Sequence, residues 1–468
     1  MKSVHLDFPR PQYVSVPEGF ITALAARAYD VDYGVVHEAK QVLAVAYQSN
    51  SAESKRVTPA LVFHQTRPQG EGLARFGEEL ASAGFESDVD QIILSRAVAG
   101  AIAGVRAKDG KVRAAIPMTP SLALAQNPRG LAGTRNPPDL GGILERFFLV
   151  GSTFSSGGQL TAADHWVRAA EHRRAVDRVI RAVDTAASST FFRAGPNRKL
   201  GEWAMGVNDH IAGTPFSWFH RVWIKLCSPA WVEALPARVW VDWANTVLRL
   251  AFGLGYLWEV AWYERVSRSV IGGGTEGPGE LLKSIGPLLP WKEQTSGISV
   301  RDVASSTKWR VLRSNNVRDR IREWAEAEGP FADAGEELAA MRLDEHFRAE
   351  LTDALSAPSG SNENLWEAIN YALLTREGTG PDADHYGFLR KNGRRFSVPD
   401  PGVEWIAAVA SLSCSGPGTS TDVGQLVKDL RELGLRPELG DLVMRLEQAG
   451  VARGSADADQ AVAIEAAF

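Results

Sequence analysis

The stretch VWVDWANTVLRLAFGLGYLWEVAWY (239–263) decides how the whole chain is read, because it is long and apolar enough to be tested as a membrane span. It carries Asp242, Asn245, Arg249 and Glu259, and each ion would cost roughly 2.5 to 3.5 kcal/mol at mid-bilayer. The better solution for such a segment is a helix buried inside a protein. Eight of the 14 tryptophans lie between Trp203 and Trp262. A tryptophan buries about 150 to 250 Å², so this region is expected to supply the main core by packing rather than by stacking on a ligand.

The same chemistry extends outward. Thr161-Ala-Ala-Asp164 has the spacing of a capping box, and predicts a helix from there to about Thr185 with Val176, Val179, Ile180 and Val183 on one face. Three Gly/Pro/Ser-rich stretches, 127–142, 272–279 and 356–364, read as links. They divide the 468 residues into a mixed α/β segment (1–126), a Trp-rich helical segment (143–271), an amphipathic helical segment with loops (280–400) and a tail (402–468). In the first segment, Gly19–Tyr47 reads as helix, and Val105–Ile116 as a hairpin turning at Asp109-Gly110, closed off by Pro117 and Pro120. In the third, Glu336–Leu355 reads as a solvated helix face. The expected class is mainly α and multidomain.

The tail has the plainest pattern. Val403, Ile406, Val409 and Leu412 mark one helix. Ser420-Thr421-Asp422 can cap a second, with Val423, Leu426, Val427, Leu430 and Leu433 on one face. Pro437 opens a third, with Leu439, Leu442, Val443 and Leu446 as its stripe and Gly450 as its stop. Two short extended runs follow, around a polar turn, to Ile464. Three helices and a β-hairpin resemble the winged-helix superfamily, and the resemblance covers the tail alone. It implies either DNA reading through the third helix or protein docking. Charge favours docking: five basic residues stand against ten acidic ones over 402–468, a net of −5, which offers little to a phosphate backbone. The docking candidates are Glu438, Asp441, Arg445 and Glu447.

The basic islands lie elsewhere. Arg174, Arg178 and Arg181 fall at i, i+4 and i+7, with Arg193, Arg198 and Lys199 downstream. Residues 301–322 hold Arg301, Lys308, Arg310, Arg313, Arg318, Arg320 and Arg322 against Asp302 and Asp319, interleaved with Trp309 and Trp324. Stacking on single-stranded bases uses such a mixture. The alternative is that these arginines pair with nearby carboxylates.

No motif for catalysis is complete. GGGTEGPGELLK (272–283) has its lysine too late for a P-loop, and GSTFSSGG (151–158) lacks the frame of a hydrolase elbow. Cys414 reads as a buried small residue. Metal-type sets (Asn208, Asp209, His210, His220 and Asp242; Asp164, His165 and His172; Asp382, Asp384 and His385) lack any standard ligand spacing. No cofactor or metal is expected. Net charge is −5, cysteines number two, and residues 1–14 show no secretory pattern, which together fit a soluble cytoplasmic protein with no membrane contact. The Ala/Arg/Gly-rich texture points to a high-GC bacterial source. The expected function is a non-enzymatic adaptor or scaffold subunit of a larger assembly, one handling nucleic acid or acting in anti-phage defence, that docks a protein partner through the tail. The alternatives are direct DNA or RNA binding through the basic islands, and an enzyme of unfamiliar type.

Overall fold

The computed structural model describes residues 2–11, 17–30, 44–47, 58–64, 71–84, 89–106, 112–124, 139–152, 160–191, 195–199, 211–291, 303–356, 363–375, 383–392, 396–453 and 462–468. Among these the protein is mainly helical, with eighteen helices and a few short strands.

The 239–263 stretch lies within one helix, Ala237–Ile271, of 35 residues and so about 50 Å long. It is buried on every side because other helices surround it: Pro215–Leu226, Glu363–Leu373, Val303–Glu328, Glu345–Ser356, Ala334–Leu343, Leu140–Val150 and Gly19–Ala28. Its glycines permit the closest of these contacts. A Cβ on Gly253 would stand 2.7 Å from Leu373, and one on Gly255 would stand 2.8 Å from the Phe147 ring. Trp218, Trp223, Trp231, Trp240, Trp243, Trp258 and Trp262 are all buried. Trp203 lies outside the described residues. Among the described residues no helix is long and apolar enough to cross a membrane.

The charges inside the central helix are resolved by partners distant in sequence. Arg249 meets Asp384 through both carboxylate oxygens at 3.0 Å. Its remaining donors reach the carbonyls of Ala372 and Leu374 at the end of the Glu363–Leu373 helix. Glu259 meets Arg10 at 2.5 Å and Arg318 at 3.8 Å. Buried side chains from Val4 to Ile464 form one contiguous core to which all four sequence segments contribute.

Several expectations need correction. The first helix ends at Ala28, not Tyr47. Tyr29–Asp30 is a strand paired with Asn197–Arg198, and Ala44–Tyr47 is a strand paired with Thr58–Leu61. Strand pairing thus overrides the helical preference of an alanine-rich run. The 105–116 hairpin forms, from Ala103–Arg106 and Val112–Ala115, within a four-stranded antiparallel sheet that also holds Ala44–Tyr47 and Thr58–His64. Its turn lies outside the described residues.

The capping box at Thr161 forms with both hydrogen bonds, but its helix stops at Val176. Asp177 is extended, and its carboxylate accepts from the amides of Val179 and Ile180, opening a second helix at Arg178. A side chain that competes for backbone amides in this way breaks a helix. As a result Val176 and Val179 are exposed while Ile180 and Val183 are buried. The 336–355 stretch is two helices, and both bury an apolar face: Leu338 and Met341 in one, Phe347 and Leu351 in the other. Leu140, Gly141 and Gly142, read as part of a link, start the Leu140–Val150 helix, capped by Asp139. Gly141 permits the approach of Ala23, whose carbonyl would lie 2.4 Å from any added Cβ.

Candidate partner-docking surface

The tail builds its helices where the apolar spacing places them, over Val403–Ser413, Val423–Glu432 and Leu439–Gln448. Asp422 caps the second by accepting from the Gln425 amide at 2.9 Å. Gly450, at φ +70°, ends the third in the left-handed region that glycine tolerates. Ser420–Asp422 precedes the second helix and pairs antiparallel with Ala463–Glu465, which also pairs with Ala452–Arg453. A three-stranded sheet in the order first, third, second closes the unit. Residues 454–461, between the last two strands, lie outside the described residues.

This tail is fastened to the helical body. Leu435–Pro437 runs parallel to Leu289–Trp291 as a two-stranded sheet. Arg221 spans Asp429 at 2.7 Å and Glu432 at 2.9 Å, and Lys225 donates to the carbonyls of Leu412 and Cys414 at the end of the first tail helix. Trp291 donates its indole N–H to Asp441 at 2.9 Å, and Arg445 bridges Asp441, Asp400 and the carbonyl of Pro401.

The four docking candidates therefore divide. Asp441 is buried beneath Trp291, and Arg445 is half-buried in ion pairs within the chain. Glu438 and Glu447 are exposed. Two residues that spacing placed in the core or left unremarked stand beside them. Leu439 is 59% exposed and Met444 is 42% exposed, while Leu442 and Leu446 are buried. Leu439, Val443 and Glu447 follow at i, i+4 and i+8 along one side of the third helix, and Met444, five residues past Leu439, lies about 140° further around it. The spacing alone could not reveal this exposure, because Leu439 fits the inner stripe by period.

Several residues of the basic islands pair with carboxylates of the chain. Arg174 pairs with buried Asp184 at 3.3 Å. Arg178 and Arg181 are exposed but lie past the break at Asp177, so the three do not share one continuous helix face. Arg198 pairs with Asp164 and Glu171, and Arg193 lies outside the described residues. On the Val303–Glu328 helix, Arg310 forms a two-pronged pair with Glu264, and Arg318 is buried against Glu259, Asp319 and the carbonyl of Phe8. Arg320 pairs with Glu323 at 3.1 Å, and Arg322 with Glu326 at 3.9 Å. Arg313 is exposed, one turn beyond Trp309, which is 51% exposed. Trp324 stacks on Phe331 and Phe347. Arg301 lies outside the described residues.

Buried titratable groups act as structural fasteners. Glu145 accepts from the amides of Ala162 and Ala163, and burial pushes it up to about 7 against the pull of those amides. His165 and His220 flank Phe148, and burial together with His220 lowers His165 to about 4. Asp242 holds Arg238, and burial pushes its carboxyl up to about 6. His172 meets Glu233 at 2.6 Å. Asn208, Asp209, His210 and Asp382 lie outside the described residues. Among the described residues no group of three or more His, Cys, Asp or Glu side chains is placed to hold a metal ion. Cys414 is buried, its thiol raised by burial against the opposing influence of Lys225, which is the reverse of an activated nucleophile.

No protein-family model matches the sequence, and no curated protein matches it either.

Proposed function

We propose that the protein is a non-catalytic adaptor subunit, in which the tail is a winged-helix module that holds a partner protein on the outward face of its third helix. One observation carries this reading: on the third tail helix Leu439 and Met444 are exposed together with Glu438 and Glu447, while Asp441 and Arg445 tie the same helix to Trp291 and Asp400. An apolar centre within a charged rim is the anatomy of a docking site. The acidic rim suits a partner with basic residues around an apolar pocket, and it repels a phosphate backbone. Buried ion pairs such as Arg249 with Asp384 and Arg10 with Glu259 suit a scaffold. We place the protein in the cytoplasm, as a component of a bacterial assembly that handles nucleic acid or resists phage. In that setting the adaptor would bring its partner to the others.

The test is affinity capture of tagged full-length protein from its native cell, beside a Leu439→Asp/Met444→Asp variant, with and without nuclease. A partner retained through nuclease and lost with the variant supports the reading. Equal recovery by both proteins refutes it.

A second reading has one specific observation behind it. Half-exposed Trp309, with exposed Arg313 one turn on, could stack and pair on a single strand. Binding of a labelled oligonucleotide that weakens steeply with salt and is lost with Trp309→Ala would favour it.

A further inference from the structure

The segment from Val4 to Arg10 is held in the fold as a ligand is held in a groove. It forms no strand and no helix. Val4, Leu6 and Phe8 are buried at alternate positions, and Asp7 between them is exposed. Phe8 sits edge-on to Phe147 with ring centres 4.9 Å apart. The main chain is gripped by side chains from other elements. Trp262 donates to the Val4 carbonyl at 2.9 Å, and Glu337 accepts the Val4 amide at 2.7 Å. The Tyr263 hydroxyl accepts the Leu6 amide at 2.9 Å, Arg318 donates to the Phe8 carbonyl at 3.1 Å, and Tyr256 donates to the Pro9 carbonyl. At the end, Arg10 reaches Glu259.

Every gripping group belongs to the central helix, to Val303–Glu328 or to Ala334–Leu343, so the groove is built without the segment that fills it. Departure of the segment would leave Glu259 beside Arg318 at 3.8 Å, while Glu337 would lose the Val4 amide. A buried charge left wholly unpaired is what makes most such separations prohibitive.

We propose that this groove is a second recognition site of the protein, for an extended peptide with apolar side chains at three alternate positions and an arginine two residues past the last of them. The chain's own residues 4–10 occupy it in the resting state. Main-chain hydrogen bonds supply affinity for any extended segment, and the apolar pockets with Glu259 supply selectivity. The tethered segment competes at an effective concentration in the millimolar range, so an incoming peptide binds the wild-type chain weakly until the strap is loosened.

The experiment uses full-length protein with Arg10→Glu, which sets a carboxylate against Glu259, and the milder Arg10→Ala as a second variant. The probe is a fluorescein-labelled peptide of residues 2–11, followed by anisotropy, with melting by circular dichroism alongside. The expected result is saturable binding to the Arg10→Glu chain at least tenfold tighter than to wild type, with a rise in its melting temperature. A peptide that itself carries Arg10→Glu is expected to bind at least tenfold more weakly. If either variant melts cooperatively and binds the peptide no better than wild type, the proposal is overturned. If both variants lose cooperative melting and the peptide does not restore it, the segment is an integral part of the core and the proposal is equally overturned.

Discussion

Replacing Asp384 by alanine removes the only carboxylate bonded to Arg249 among the described residues, at a site where both side chains are 4% exposed. Two charge-assisted hydrogen bonds at 3.0 Å disappear, along with the one that the Tyr386 amide gives to the same carboxylate. The guanidinium keeps the carbonyls of Ala372 and Leu374, which satisfy donors but do not neutralise charge. Breaking one half of a buried pair costs about 3 to 5 kcal/mol, and the retained carbonyls place this case towards the lower end. Asp384→Asn preserves shape and one acceptor, and should cost about 1 to 3 kcal/mol. Urea unfolding followed by tryptophan fluorescence and far-UV circular dichroism measures both. An Arg249→Met/Asp384→Leu double variant should be more stable than the sum of the single losses predicts, since neither charge is then left alone. A loss below about 1 kcal/mol for Asp384→Ala, or strict additivity in the cycle, would refute the view that this pair pins the stretch around Asp384 to the central helix.

Glu145 is raised by burial from 4.5 to about 7, so it holds its proton more tightly in the folded protein. The stability it contributes is present below its unfolded value and is lost as pH rises through the window from about 4.5 to 7. The stability of wild type minus that of Glu145→Gln should therefore fall across that window in denaturant titrations at several pH values, and a flat difference would contradict the assignment. Gly255→Leu drives a side chain into the Phe147 and Phe216 rings, where a Cβ alone would stand 2.8 and 3.0 Å away. Overpacking of that kind costs about 1 to 3 kcal/mol or more and should lower the melting temperature. Deletion of residues 402–468 removes the strand paired with Leu289–Trp291 and the partners of Arg221, Lys225 and Trp291. It should lower the melting temperature of what remains, whereas an unchanged melt would mean that the tail is an independent unit.

The fold was most legible where local chemistry decides it. The ions inside 239–263 ruled against a bilayer and pointed to a buried helix, because a charge needs a partner wherever it goes. The capping box at Thr161, a cap within Ser420–Asp422 and the stop at Gly450 are each read from a few adjacent residues, and each forms, the cap by Asp422. Legibility ended where the partner is far away in the chain. Nothing near Arg249 announces Asp384, nothing near Arg221 announces Asp429, and no local pattern pairs Leu435–Pro437 with Leu289–Trp291. The arginine runs of 174–181 and 301–322 look like patches because sequence displays charges and hides counter-charges. The strand at Ala44–Tyr47 was missed for the related reason that alanine's helical preference yields to a neighbouring strand. At the docking surface, Glu438 and Glu447 could be read from the sequence, but the exposure of Leu439 could not, because its spacing fits the inner stripe.

The most direct test of the adaptor reading is hydrogen exchange of the purified protein with and without the partner recovered by capture. Protection on binding is expected along Leu439–Gln448, with Arg178–Arg181 and Trp309–Arg313 unchanged. Protection of the arginine-bearing segments with none along Leu439–Gln448 would contradict the account.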